Sequence, residues 1–394
     1  MNLVPSFAIS AAPARGRRAP PPVPPEGLLP RNVASFDTLD GWALDPGWAG
    51  SGGAITHTPS ASSEFVTRDM TIPSGDVWVA YTVRDASAGN VSVQLLDSFI
   101  NAPFVNRVTA HHVARFSAIG HSKLRLNASA TFDGTVSDIQ PVDMTTLLEQ
   151  PTDIYIAAGQ SLMAAESSST PVDPDKDYWV PRCLYLPGVT VSTYGTQADQ
   201  VAACAAPLQM SVISQGVSPA LHFARTVEKA TPPGRTVTIL ACAKGGTSLV
   251  GDDAEWNPNG SVGAGGTLYA AMRDRALAAI AAKPGNNVKA LIWAQGESDR
   301  AGDMDTTYPP AFEALLGQLR LDLSEPNLPA MILGPMPDDP STNQPLFIQT
   351  QEQLDGDHVN GIEGVHYVAR QPGYLSADGT HPEPEGNRLV VGVD

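Results

Sequence analysis

The chain has 394 residues, 42% of them hydrophobic, and a formal net charge of −17. That length exceeds what one ordinary core serves, so two folded units are expected, and no apolar run approaches the roughly 18–20 residues of a membrane-spanning helix, which argues against membrane insertion. The negative excess argues against nucleic acid and anionic lipid surfaces as partners.

The first residues, MNLVPSFAISAAPARGRRAPPPVPPEGLLPR, lack a basic start. Their apolar run is short and carries Pro5, and their arginines come after it. No classical secretory signal is therefore expected, with an extracellular or virion-associated location as the accompanying reading. Pro, Ala and Arg dominate residues 13–30, so residues 1–32 are expected to be an extended, polyproline-like arm. Two roles stay open for it, a linker or an anchor that orders against a homo-oligomeric or particle partner.

Residues 33–147 change texture. Short alternating runs (SEFVTRDMTI, DVWVAYTVRD, NVSVQLLD, HHVARFSAIG, KLRLNASATF) are separated by Gly, Asn, Asp, Pro and Ser. Strands so spaced predict an all-β, jelly-roll-like sandwich. Its opening DTLDGWALDPGWAGSGG and closing TFDGTVSDIQPV resemble carbohydrate-binding sandwiches attached to enzymes and to phage particle proteins. Trp42, Trp48 and Trp78 are read as core residues rather than sugar platforms, and no site is assigned there.

From residue 148 to 394 strand and helix alternate. TDIYIAAG, RTVTILACAKGG, NVKALIWAQGE and LPAMILGPM read as buried strands, with SPALHFARTVEKA, GTLYAAMRDRALAAIAAK and PAFEALLGQLRLDL as helices. This predicts a parallel sheet between two helical layers, with ligands beyond the carboxyl ends of the strands. Those ends read Gly159–Gln160–Ser161, Lys244–Gly245–Gly246–Thr247–Ser248 and Gln295–Gly296–Glu297–Ser298–Asp299, joined near the C-terminus by Asp378–Gly379–Thr380–His381–Pro382.

Acyl transfer by serine requires a hydroxyl, a base, an acid that orients the base, and donors for the oxyanion. Ser161 supplies a hydroxyl where a strand meets a helix, although a helix cap is the ordinary reading of a serine there. His381 supplies a base, and Asp378, three residues earlier, an acid. Gly245 lets a backbone N–H approach a substrate oxygen, and Gln295 carries an amide donor. His358 and His366 lack an aspartate at that spacing. Asp252 and Asp253 read as solvated rim residues, and His111–His112 stands apart from the other motifs. The three cysteines, Cys183, Cys204 and Cys242, are too few for a disulfide scaffold; a Cys183–Cys204 pair stays open. No Cys/His cluster has zinc spacing.

GQSLM, KGGTSLVGDDAEW, LIWAQGESD and DGTHPEPEGN, in that order, resemble the SGNH (GDSL-type) hydrolases. The closest match is to the sialate O-acetylesterase and plant-type acetyl xylan esterase branch. The resemblance implies an α/β, three-layer α/β/α flavodoxin-like domain that hydrolyses acetyl or other small esters, often on carbohydrates, without metal or organic cofactor. By position, Ser161 resembles the nucleophile and an oxyanion donor, Gly245 and Gln295 the other donors, Asp378 and His381 the acid and base. Glu297 resembles a support of the nucleophile loop, and Gly246, Thr247 and Ser248 shape their own loop. Two departures stand out: Leu162 replaces the usual Asn after the serine, and the stretch following DGTHP implies a shortened or missing closing helix.

The functional expectation is a serine esterase that removes O-acetyl groups from a carbohydrate or polysaccharide. The competing expectation is a spike or fibre component of a phage-like particle, such as a gene transfer agent, that binds a host surface polysaccharide. A lipase or thioesterase ranks below both, because no lid-like apolar segment accompanies the motifs.

Overall fold

The computed structural model describes residues 41–51, 53–96, 100–101, 105–106, 110–166, 172–190, 197–206, 208, 210, 216–260 and 265–391. The expected arm, residues 1–32, lies outside the described residues.

The first sheet is antiparallel and nine-stranded. Its strands are β1 (Trp42–Leu44), β2 (Trp48–Ser51), β3 (Ala54–His57), β4 (Glu64–Ala88), β5 (Asn90–Leu96), β6 (Ile100–Asn101), β7 (Val105–Asn106), β8 (Ala110–Ala128) and β9 (Asp133–Asp143). β4 and β8 run through the whole sheet as one ladder, so its two halves share continuous strands. Val66, Val93, Leu124 and Leu126 from one half nevertheless share a buried cluster with Val79, Val83, Phe116 and Val136 from the other. The sheet therefore folds over on itself, and alternate side chains of both halves meet inside, as in a sandwich core. Trp42, Trp48 and Trp78 are all buried, which leaves their ring faces closed to a sugar.

A short helix, α1 (Thr145–Glu149), leads to the second sheet. Its strands are β10 (Thr152–Gly159), β11 (Cys183–Leu186), β12 (Ala202–Ala203), β13 (Thr236–Ala241), β14 (Asn287–Ala294), β15 (Ala330–Leu333) and β16 (Val365–Val368), in the spatial order β12-β11-β13-β10-β14-β15-β16. All pairings are parallel except β11 with β12. Setting aside β11 and the edge strand β12, the order is the flavodoxin-like 2-1-3-4-5, whose switch point falls between β10 and β14.

The helices are α2 (Ser161–Ala164), α3 (Pro219–Glu228), α4 (Thr267–Ala281), α5 (Met304–Asp322), α6 (Gln344–Glu352) and α7 (Pro384–Leu389). Alternation along β10 sorts them into layers. Ile154, Ile156 and Ala158 face a cluster with Tyr269 and Met272 of α4, Phe312 and Leu316 of α5, and Phe347 of α6. Ala157 faces the opposite cluster, with Leu221 and Ala224 of α3 and Val390 beyond α7. This is the three-layer α/β/α architecture. α5 starts before the expected PAFEALLGQLRLDL and holds Pro309 and Pro310 inside it. Buried Met304 and Tyr308 pack those first turns, which offsets the two N–H donors that proline lacks. Among the described residues no helix is long and apolar enough to cross a membrane, and all three cysteines are free.

The two sheets meet through an apolar cluster of Trp78, Ala80, Val142, Met144, Leu147, Trp179 and Leu184. The indoles of Trp78 and Trp179 lie 5.5 Å apart, and Arg84 pairs with Asp175 at 2.9 Å. The segment that carries Trp179 is held in turn by Asp177, which is fully buried. Its carboxylate accepts from His222 Nε2 on α3 at 2.9 Å and from both Nε and Nη2 of Arg388 on α7. Burial opposes its charge, yet the bonds from His222 and Arg388 prevail and hold the carboxyl below its ordinary range. The closing helix is thus present, six residues long and anchored. Replacing Asp177 by Ala leaves the buried Arg388 with Glu385, at 3.1 Å, as its remaining counter-charge among the described residues, and strips His222 of its acceptor. The expected loss is roughly 3–5 kcal/mol of stability, read as a lowered thermal midpoint and denaturant midpoint.

Candidate active site

The turn after β10 is set by backbone geometry. Gly159 has φ +127°, and a Cβ there would sit 2.0 Å from the Ala294 carbonyl oxygen. Only glycine lets β10 press this closely on the end of β14. Gln160 N–H donates to the same Ala294 oxygen at 2.8 Å, and Lys244 N–H donates to Gly159 O at 3.0 Å. The strand end is thereby joined to both neighbouring strand ends. Gln160 is the cap of α2 and Ser161 its first helical residue, with no side-chain capping bond at that terminus. The ordinary helix-cap role is therefore not what Ser161 performs. Leu162, Met163 and Ala164 are buried, which leaves Ser161 as the half-buried residue of the turn. Leu162 packs in the cluster beneath the sheet, so this position contributes packing and no amide.

On the closing loop, His381 Nδ1 lies 2.8 Å from Asp378 Oδ2. Asp378 Oδ1 accepts from the backbone N–H groups of His381 at 2.9 Å and Thr380 at 3.0 Å, and from the Ser376 hydroxyl at 2.8 Å. Partial burial works against its charge, but these hydrogen bonds outweigh it and hold the carboxyl far below the ordinary range. The i, i+3 spacing thus forms a turn in which one carboxylate fixes both the loop and the imidazole. His381 Nε2 is buried and, among the described residues, has no hydrogen-bond partner.

Gln295 departs from expectation. It is 1% exposed, and its Nε2 lies 3.0 Å from Thr247 O and 2.5 Å from Asp299 Oδ2, with Gln160 Oε1 at 3.4 Å. Its Oε1 accepts from Tyr308 OH at 3.0 Å. Both amide protons have acceptors inside the protein, so in this structure Gln295 braces the strand ends. Asp299 completes this brace by accepting from Leu249 N–H at 3.0 Å and Val250 N–H at 3.2 Å. Burial raises its carboxyl above the ordinary range.

Gly245, the second expected donor, has its N–H directed at Glu166 Oε1 at 3.2 Å. Gly246 adopts φ +68°, and Thr247 Oγ1 ties the loop to Lys244 O at 2.8 Å while accepting from Trp256 Nε1 at 2.9 Å. Glu297 begins a 3₁₀ turn (Glu297–Asp299) after β14. Both its carboxyl oxygens are sealed from solvent without a hydrogen-bond partner among the described residues. Burial pushes the group up to about 7, against the pull of Arg300, Arg370 and His381. Arg370, which sequence reasoning missed, donates to Gly334 O at 2.7 Å and Asn387 Oδ1 at 2.8 Å, and so ties the end of β15 to α7. It lies in no motif, and its role follows only from the fold. Glu166, Asp299 and Tyr308 were likewise missed as site elements.

Asp252, Asp253, His358 and His366 are exposed. Among the described residues, no group of three His, Cys, Asp or Glu is placed to hold a metal ion.

A flavodoxin-like sheet with a serine at the end of its central strand and a histidine–aspartate pair on its closing loop defines a hydrolase of the SGNH type. The chain belongs to the family described as carbohydrate esterase, sialic acid-specific acetylesterase, whose model matches residues 151–390. It is accordingly a carboxylic ester hydrolase. A probable carbohydrate esterase of Arabidopsis thaliana is 29% identical over 190 residues, which is 45% of this chain and 67% of that protein. A crystal structure of a protein from Arabidopsis thaliana superposes with TM-score 0.48 at 22% identity, covering 61% of this chain and 94% of that one. The crystal structure of NanS gives 0.46 at 18% identity, covering 62% and 94%.

Glu297 provides a test of the site's electrostatics. Its folded value near 7 lies above the ordinary glutamate value, so the native state holds an extra proton between about pH 4.5 and 7. Stability from this group is complete below that window and is lost as pH rises through it. Glu297→Gln should remove that slope. The stability difference between variant and wild type should then shift in the variant's favour by about 3 kcal/mol from pH 4.5 to pH 7.5, measured by denaturant unfolding at each pH.

Proposed function

We propose that the protein is a serine esterase that removes O-acetyl groups from a carbohydrate, with Ser161 as nucleophile, His381 as base and Asp378 as the acid that orients it. The observation that carries this reading is the His381–Asp378 pair. One imidazole nitrogen is fixed by a carboxylate at 2.8 Å, while the other is buried and uncommitted. Ser161 Oγ attacks the acetyl carbonyl carbon and passes its proton to His381 Nε2, while Asp378, kept ionised, stabilises the imidazolium. His381 Nε2 has no hydrogen-bond partner among the described residues, and a bond between nucleophile and base commonly forms only when substrate is bound. The backbone N–H groups of Ser161 and Gly245 receive the oxyanion. Collapse breaks the bond to the sugar oxygen, which takes the proton from His381 and leaves as the free hydroxyl. A water then hydrolyses the acetyl-enzyme by the same route in reverse.

Gln295, Asp299 and Gly246 hold the loops in register, and Glu297, buried in the turn after β14, is read as a support of the nucleophile loop. The reading treats residues 33–147 and 148–394 as two units, the first serving as a buttress of the second. The substrate class is an acetylated glycan or polysaccharide, in keeping with the family.

Acetate release from a panel of acetylated polysaccharides tests this. Ser161→Ala should lower kcat by on the order of a thousandfold or more while leaving the fold intact. Equal rates for wild type and variant would remove Ser161 from the reaction.

A further inference from the structure

Cys183 and Cys204 face each other at one edge of the second sheet. The antiparallel register of β11 and β12 pairs Tyr185 with Ala202 and Leu184 with Ala203, so Cys183 falls opposite Cys204 one step further along. Cys204 N–H donates to Cys183 O at 3.2 Å, which carries that register to the cysteines themselves. Side chains alternate between the two faces of a sheet. Leu184 accordingly joins the cluster against the N-terminal sheet, with Ala203 packed on it. Cys183 and Cys204 turn together the other way, into the cluster that holds Leu221 and Ala224 of α3. Opposed residues joined by a ladder hydrogen bond have Cα atoms about 5.5 Å apart, and a disulfide spans Cα separations of roughly 4.4–6.8 Å. The two thiols are therefore placed for a bond without backbone movement. Cys242 packs against the cluster on the opposite face of the sheet.

Both facing thiols are fully buried. Burial pushes each of them well up, so at neutral pH they are protonated and the closed fold shields them from oxidants. Access comes with opening of β12, which is two residues long and lies at the edge of the sheet. Segments with so few ladder bonds open at low free energy. The same short strand supports the N-terminal sheet. Val201, Ala203 and Ala205 pack against the cluster that holds Trp78 and Trp179, and Val201 O accepts from Arg115 Nη1 on β8 at 3.3 Å. Trp179 Nε1 donates to Cys183 O at 2.9 Å.

The geometry points to a disulfide site: under oxidising conditions Cys183 and Cys204 join, and the bond locks β12 to β11 where the two units meet. A small-molecule disulfide such as glutathione disulfide is the oxidant. One cysteine thiolate attacks it, releasing one glutathione thiol and leaving a mixed disulfide. The second cysteine then displaces the other glutathione, and the two cysteine protons end on the two glutathione thiols. The bond also closes the intervening segment into a loop, which restricts the unfolded chain.

In the test, the full chain is incubated with glutathione disulfide or with dithiothreitol, just below the onset of unfolding, until its thiol count is constant. It is then unfolded, alkylated with iodoacetamide and weighed. Of the three cysteines, all should be alkylated in the reduced protein and Cys242 alone in the oxidised protein, with the Cys183 and Cys204 peptides linked. Oxidation should raise the thermal midpoint by about 5–10 °C. Cys183→Ala and Cys204→Ala should each abolish both the link and that rise, and Cys242→Ala should keep them. Full alkylation after oxidation, glutathione retained on a single cysteine, a link through Cys242, or a linked protein that melts no higher than the reduced one each overturn the inference. Should an alanine variant fail to fold, the masses and midpoints of the wild type decide alone.

Discussion

The buried contact between Gln295 and Asp299 fastens the loops of the site to one another. Through it the end of β14 holds the loop after β13, by way of the Thr247 carbonyl and the Leu249 and Val250 N–H groups. On the other side Gln160 Oε1 approaches Gln295 Nε2 and the Ser298 N–H, each at 3.4 Å, which draws in the serine turn. Tyr308 and Gln351 reach the Gln295 carbonyl from α5 and α6. Polar groups this deep are tolerated only when nearly all are paired. A sheet of apolar strands thus ends in a polar layer whose pairing leaves little freedom of loop position. Rigid placement of that kind lets backbone N–H groups act on a reacting oxygen without reorganising.

Much of this was legible in the sequence, and the reasons differ by element. β10 matched the run TDIYIAAG because a buried parallel strand requires continuous apolar residues and stops at glycine. The His381–Asp378 pair was legible because its spacing is local, and three residues of a turn determine it. Gln295 was legible at a strand end but its bracing bonds were not, since sequence cannot show where an amide's protons are spent. The strand β11, the edge strands β12 and β16 and the helix α6 went unnoticed. They run four, two, four and nine residues, too short to carry a periodic signal against their flanks. Glu166 lies five residues beyond Ser161, and its contact with Gly245 arises only when the chain after β13 returns to meet it.

The N-terminal sheet also gains a physical role. Its contacts fall on the segment carrying Asp175, Asp177 and Trp179. Lys176, in the same segment, pairs with Glu385 at 2.9 Å, and Asp177 binds Arg388, both on the helix that follows the histidine. Mechanical continuity therefore runs from the N-terminal sheet through one loop to the helix that follows His381. The buried tryptophans of this sheet belong to that support.

The shared apolar cluster has a practical consequence for anyone who separates the two units. Cutting the chain before α1 would strip Trp78, Val142 and Met144 from Trp179 and Leu184, leaving an indole and a leucine facing solvent on the hydrolase. Adhesive patches of that kind drive self-association, so the isolated catalytic half should be a sticky, concentration-sensitive preparation unless those two side chains are first made polar.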